Sequence, residues 1–296
     1  MGIIYNGDAL QTLKQMPSQS VQCCVTSPPY WGLRDYGVTG QLGLERTPTE
    51  FVDNLVEVFR EVRRVLKDDG SLWLNLGDSY VNGFCARVPW KVCESLCNND
   101  WKLVTEIIWH KTRVMPMGLK KRPLRDHEYL FLLAKNDSYF YDQQALKVPA
   151  APESAKRYER EFRDVRSGST KGMRVANEIC PRQGPRRKVT APALRIRRTV
   201  WTVCPAQFAG AHFATFPPDL IEPCIKAGSR PGDVVLDPFF GAGTTGLVAQ
   251  NLARDWIGIE LNAEYCELAR ARIGLDAHIR GINGNDDGRR VPQAFS

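Results

Sequence analysis

Val234-Val235-Leu236-Asp237-Pro238-Phe239-Phe240-Gly241-Ala242-Gly243-Thr244-Thr245 orders the reading of the whole chain. Asp233 to Leu236 is a short apolar run that predicts a buried strand, and Thr244 to Leu252 predicts a helix. A glycine-rich turn between a strand and a helix lets a ligand approach the backbone, at the carboxyl ends of the strands where open α/β sheets bind ligands. The turn is not GxGxxG and carries no P-loop lysine. Trp256 to Ile259 reads as the next strand, and Glu260 closes it about nineteen residues after Gly241. An acid at that strand end can accept both ribose hydroxyls of a nucleoside. Either feature alone also serves as a plain cap; the pair at this spacing points to a nucleoside ligand.

Working outward, Ala263 to Ile273 predicts a helix, and Val21 to Thr26 a buried strand that stops at Pro28-Pro29. Thr49 opens a helix with Phe51, Leu55, Val58, Val62, Val65 and Leu66 at helical spacing, and Asp69-Gly70 is its expected stop. Ser71 to Leu76, Ile107 to Trp109 and Tyr129 to Leu133 predict further strands. Strands alternating with helices imply a mostly parallel, three-layer α/β sheet. In Thr26-Ser27-Pro28-Pro29-Tyr30-Trp31 the two prolines stiffen the backbone. They leave the carbonyls of Ser27 and Pro28 as fixed acceptors, which suit an exocyclic amino group. Tyr30 or Trp31 could stack on the base carrying that group. The competing reading is a Pro-Pro loop over an aromatic core residue.

The chain has 296 residues, 43% hydrophobic and 25% charged, which excludes wholesale disorder and collagen-like repetition. It has no run of about 18 apolar residues and no basic stretch followed by an apolar one at its start, so a soluble, unsecreted protein is expected. Nine cysteines without a CxxC pair read as reduced core thiols of a cytoplasmic protein, and no metal site is expected. The net charge of +7 is local: between Glu153 and Val200 fourteen basic residues face five acids, giving +9 there and −2 elsewhere. Broken by glycines and prolines, this block suggests an insertion that meets a polyanion; the alternative is a solvated loop with no partner. The end of the chain, 280–296, lacks apolar periodicity and reads as a flexible tail.

Ser27-Pro28-Pro29-Tyr30, Asp237-Pro238-Phe239 and Gly241-Ala242-Gly243-Thr244-Thr245 together resemble the S-adenosylmethionine-dependent DNA amino-methyltransferases that act on N4 of cytosine or N6 of adenine. The order, with SPPY before the glycine-rich motif and the basic segment between them, is similar to the permuted β group. The resemblance implies a Rossmann-like methyltransferase fold: a mostly parallel twisted sheet with helices on both faces, plus a basic target-recognition insertion. It divides the chain into a catalytic half over 1–150, the insertion over 151–205 and a cofactor-binding half over 206–279. Ser27, Pro28, Pro29 and Tyr30 are the implied catalytic residues, and Trp31 and Trp109 the walls of a target-base pocket. For the cofactor it implies Asp8, Thr26, Phe216, Asp237, Pro238, Phe239, Gly241, Gly243, Thr244, Thr245 and Glu260. His212 to Pro218 departs from the family's H-P-T-x-K-P pattern. Arg157, Arg163, Arg186, Arg187, Lys188, Arg195, Arg197 and Arg198 are the basic residues assigned to DNA.

The implied reaction flips the base out of duplex DNA, holds its amino group on Ser27 and the Pro28 carbonyl, and stacks Tyr30 on the ring. Methyl transfer is then direct, with no covalent cysteine, and catalysis is mostly positioning and electrostatics. Ser in the first motif position favours N4 of cytosine by family association; N6-adenine methylation is the alternative. A DNA-binding protein with a degenerate methyltransferase fold, and an RNA or protein methylase, are the remaining readings. Double-stranded DNA, a homodimer and a cognate restriction endonuclease are the implied partners, in the cytoplasm of a bacterium or from a phage, with no membrane.

Overall fold

A computed structural model describes residues 1–114, 121–150, 194–205 and 216–274. Compact packing divides it into one unit of 1–145 with 198–296, and a second of 146–197. The first unit holds the sheet. Its strands are β1 (Gly2–Asn6), β2 (Val21–Thr26), β3 (Leu66–Leu76), β6 (Lys102–Lys111), β7 (His127–Ala134), β10 (Val200–Val203), β11 (Val234–Asp237) and β12 (Asp255–Glu260). They lie in the order β1-β12-β11-β2-β3-β7-β6-β10. Every pairing is parallel except those of β7, which runs antiparallel to both neighbours. The expected mostly parallel α/β sheet is therefore observed.

The reasons lie in the sequence. β2 is buried at all six positions, as a central strand covered on both faces requires. Around the sheet stand α1 (Ala9–Gln15), α2 (Pro48–Val65), α3 (Val88–Cys97), α4 (Pro218–Gly228), α5 (Thr244–Asn251) and α6 (Ala263–Ile273). Thr47 caps α2 by accepting from the Glu50 N–H, with Pro48 in the first turn. Phe51, Leu55, Phe59 and Val62 on its inner face are fully buried. Burying each such side chain stabilises the fold by about 1.5–3 kcal/mol.

The helix ends earlier than expected. Val65 is its last residue, and Asp69-Gly70 belongs to β3, where the register jumps between Val21 and Cys23 of the neighbouring strand. Leu66 is fully buried and already pairs with Val21, so the chain has become strand before it reaches the glycine. The Gln22 side-chain amide fills the irregularity by donating to Asp69 Oδ1 at 3.0 Å.

Two short ribbons complete the strands among the described residues. β4 (Tyr80–Val81) and β5 (Phe84–Cys85) form a hairpin in the larger unit. β8 (Lys147–Pro149) and β9 (Leu194–Ile196) pair antiparallel in the smaller one. No disulfide joins the eight described cysteines, but Cys85 and Cys204 are exposed, a correction to the reading of all of them as core thiols. Among the described residues no helix is long and apolar enough to cross a membrane. The tail over 280–296 lies outside the described residues.

Candidate active site

β2 and β11 are neighbours, but the chain moves outward from them in opposite directions, from β2 to β3 and from β11 to β12. Such a reversal leaves a crevice at the carboxyl ends of the strands. The two motifs leave from there. Thr26 at the end of β2 donates its hydroxyl to Asp237 Oδ1 at 2.6 Å, across 211 residues of chain. Asp237 Oδ2 accepts from Thr245 Oγ1 at 2.6 Å, and Oδ1 also accepts from the Phe239 N–H at 3.0 Å.

Asp237 is 2% exposed, and burial pushes its carboxyl up to about 6, against the opposing pull of its three donors. Thr26, Asp237 and Thr245 hold the two strands together and line neither of the two cavities below. Thr244 accepts from Arg272, Gly243 packs against Ala269 and Ile273, and Phe216 is buried. Gly243 is left-handed, with φ +78°.

A cavity of about 470 Å³ opens in front of this bracket. Pro238, Phe239 and Gly241 from the glycine-rich turn, Gly7 and Asp8 after β1, Glu260 at the end of β12 and Asn262 just beyond it line it. Glu260 is fixed from behind: Oε2 accepts from the Gly241 N–H at 2.7 Å and Oε1 from the Asn262 N–H at 2.8 Å. Burial raises its carboxyl above the usual range, while these backbone donors pull it back. Asp8 caps α1 through Oδ1, accepting from the Gln11 N–H. Tyr36 and Tyr265 meet edge to face, with ring centroids 6.3 Å apart, on the same cavity wall. Neither tyrosine was singled out by the sequence, because no motif marks them.

A smaller cavity of about 210 Å³ adjoins it, with Ser27 and Tyr36 lining both. Its other walls are Pro28, Tyr30, Leu33, Arg34, Lys111 and Glu128. Pro29 faces the larger cavity. Tyr30 donates its hydroxyl to Glu128 Oε2 at 2.6 Å, and Asn75 donates to both, at 2.7 Å and 2.8 Å. The Ser27 hydroxyl lies 3.2 Å from Tyr30 Oη. Lys111 bridges to the other Glu128 oxygen. Burial first, and then the Glu128 charge, hold the Tyr30 phenol well above its ordinary pKa, so it stays a neutral donor.

Glu128 and Asn75 escaped the sequence reading: one is the second residue of an antiparallel strand, the other sits inside an apolar one, and neither belongs to a motif. The two tryptophans stand outside the lining of both cavities. Trp109 is 4% exposed and donates its indole N–H to the Val203 carbonyl at 3.0 Å. Trp31 donates to the Glu45 carbonyl at 3.0 Å, and neither lines the smaller cavity.

Of the basic residues, Arg157, Arg163, Arg186, Arg187 and Lys188 lie outside the described residues. Arg195 sits in β9, half-buried, Arg197 follows it, and Arg198 is exposed.

A family model for DNA methylases of the N6/N4 type matches residues 21–271. This chain belongs to the N6/N4 DNA methylase family. The methylase is 42% identical to the type II methyltransferase M.XycI of Xanthomonas campestris pv. cyanopsidis, over 91% of this chain and 87% of the relative. It is 41% identical to M.Cfr9I of Citrobacter freundii, over 93% and 89%. A DNA modification methylase of Thermus thermophilus, solved with S-adenosyl-L-methionine, superposes with a TM-score of 0.61 at 26% identity, over 93% and 94% of the two chains. The PvuII cytosine-N4-specific DNA methyltransferase, at 22% identity and TM-score 0.66 over 96% and 93%, shares the fold. The methylase is therefore an enzyme of the class that methylates DNA on N4 of cytosine or N6 of adenine, with DNA as its substrate.

Proposed function

We propose that this methylase is a site-specific enzyme that uses S-adenosylmethionine to methylate N4 of cytosine in duplex DNA, with the target base flipped into the smaller cavity. The observation that carries the reading is that Ser27 lines both cavities at once, so an acceptor for an amino group stands where the larger space meets the smaller. The larger cavity fits the cofactor by the chemistry of its donors and acceptors. Glu260 offers a carboxylate held by two backbone N–H groups, Asp8 a second acid, and Tyr36, Phe239 and Tyr265 aromatic surface. The volume of that cavity lies within the range of small-molecule sites. When bound, the cofactor supplies a methyl carbon activated by the adjoining sulfonium.

The chain's own contribution follows from positions. The amino nitrogen of a base is a poor nucleophile because its lone pair is delocalised into the ring. Ser27 Oγ and the Pro28 carbonyl accept its N–H groups, which orients the nitrogen towards the larger cavity. As methylation puts positive charge on that nitrogen, these oxygens and the Glu128 carboxylate provide fixed negative potential. Tyr30 and Asn75 hold Glu128 in place, and Lys111 neutralises its far oxygen.

Ser27 is neutral, as in the cytosine-N4 members of the resembling family, which supports cytosine over adenine. The type II relatives support a role beside a restriction endonuclease that reads the same site, in the cytoplasm. A homodimer is implied by the resemblance alone.

The test is direct. The protein is incubated with S-adenosylmethionine and unmethylated bacterial DNA, and the digested nucleosides are identified by mass. N4-methylcytosine is expected. N6-methyladenine would overturn the base assignment, and no methylated base would overturn the proposal altogether.

A further inference from the structure

The hairpin of β4 and β5 has no part in the chemistry of either cavity, and its construction is that of a rigid device. The chain leaves β3 at Leu76 and passes Gly77, where an added Cβ would stand 2.5 Å from the Tyr30 ring. Three residues later the hairpin begins, so its foot adjoins a wall of the smaller cavity. Asn82 and Gly83 at its tip both have positive φ, 50° and 83°, the pattern of a tight two-residue hairpin turn.

The foot is clamped. One Asp78 carboxylate accepts from the Ser79, Arg87 and Val88 N–H groups and from the Cys85 thiol at 2.6 Å. Arg125 pairs with the same carboxylate at 3.4 Å. The guanidinium groups of Arg122 and Arg125 lie 3.6 Å and 4.7 Å from the Tyr80 ring centroid. Both arginines stand just before β7, whose second residue is Glu128 of the cavity wall.

This framework carries an apolar tip into solvent. Phe84 is 78% exposed, more than any other exposed large hydrophobic residue described, and Val81 opposite it is 40% exposed. Arg87, also exposed, stands three residues beyond Phe84, just before α3. An aromatic ring held out on one face of a fixed hairpin whose other face carries the Tyr80 ring with its two guanidinium groups, beside the smaller cavity, has the chemistry of a wedge for a stacked polyanion.

We infer that the hairpin enters duplex DNA at the target site, with Phe84 filling the space the flipped base leaves and Arg87 and Arg122 meeting the adjacent phosphates. The inference rests on the reading of the smaller cavity as a pocket for a flipped base. Taking a base out of the stack costs a few kcal/mol, least where it is already unpaired. A wedge therefore matters for a paired target and little for an unpaired one.

The experiment compares methyl transfer by the parent protein and by Phe84→Ala on two short duplexes carrying the methylated site. One is fully paired; the other has an abasic position opposite the target base. Phe84→Ala is expected to lose about 10- to 100-fold in kcat/KM on the paired duplex and to come within a few-fold of the parent on the abasic one, with Phe84→Leu recovering most of the paired rate. Its Tm should match the parent's, since an exposed ring is removed. Equal rates for parent and Phe84→Ala on the paired duplex, or equal losses on both duplexes, would overturn the wedge alone. Parent protein that methylates neither duplex would overturn the wedge together with the reading on which it rests.

Discussion

Glu128 shows how much a single side chain can decide. It receives the Tyr30 hydroxyl, the Asn75 amide and the Lys111 ammonium, and it lines the cavity proposed for the base. Changing it to Gln keeps the size and removes the charge that would face the developing cation, leaving Lys111 without its anion. A hydrogen bond to a charged partner contributes about 1.5–3 kcal/mol, so kcat should fall about 10- to 100-fold. Cofactor affinity, measured by titration, should change by less than about twofold, because Glu128 is not on the wall of the larger cavity. An unchanged kcat in Glu128→Gln would remove it from the chemistry.

Between elements, the Thr26–Asp237–Thr245 bracket ties the end of β2 to the end of β11 and the start of α5. Its carboxyl is raised from 3.8 to about 6 by burial, so the folded protein holds that proton more tightly than the unfolded chain. Below about pH 4 both states are protonated and nothing is lost. As the pH rises towards about 6 the unfolded state ionises first, and this one group withdraws about 3 kcal/mol of stability, all of it gone above that pH. Asp237→Asn cannot titrate. Denaturant unfolding of both proteins should therefore give a free-energy difference that changes between about pH 4 and pH 6 and is level above. Parallel curves across that window would show that the carboxyl is not shifted.

At the scale of the whole molecule, the net charge is separated in sequence from the residues that line both cavities. The sheet and its loops carry both cavities, while the +9 segment between residues 153 and 200 stands apart in the sequence. If that segment meets phosphates, neutralising Arg186, Arg187 and Lys188 together should lower the slope of log K against log salt by about 3, with little change in sequence preference. Binding to a cognate duplex across a salt series measures this, and an unchanged slope would place the three residues away from DNA.

The sequence by itself determined the elements and the motifs: Val21 to Thr26, the core face of α2 and Ala263 to Ile273 were legible because apolar periodicity and caps are local properties of the chain. The pairing of an SPPY strand with a glycine-rich turn also pointed to an amino-methyltransferase. The tertiary structure alone decided who meets whom. Strand order brings Ser27 beside Pro238 and Gly241 across more than half the chain, and register sets Glu128 against the Tyr30 hydroxyl. It also turned Asp69-Gly70 from a helix stop into a strand irregularity, and it buries Trp109 in the core. Those outcomes depend on packing between distant segments, which leaves no period or spacing in the sequence to read.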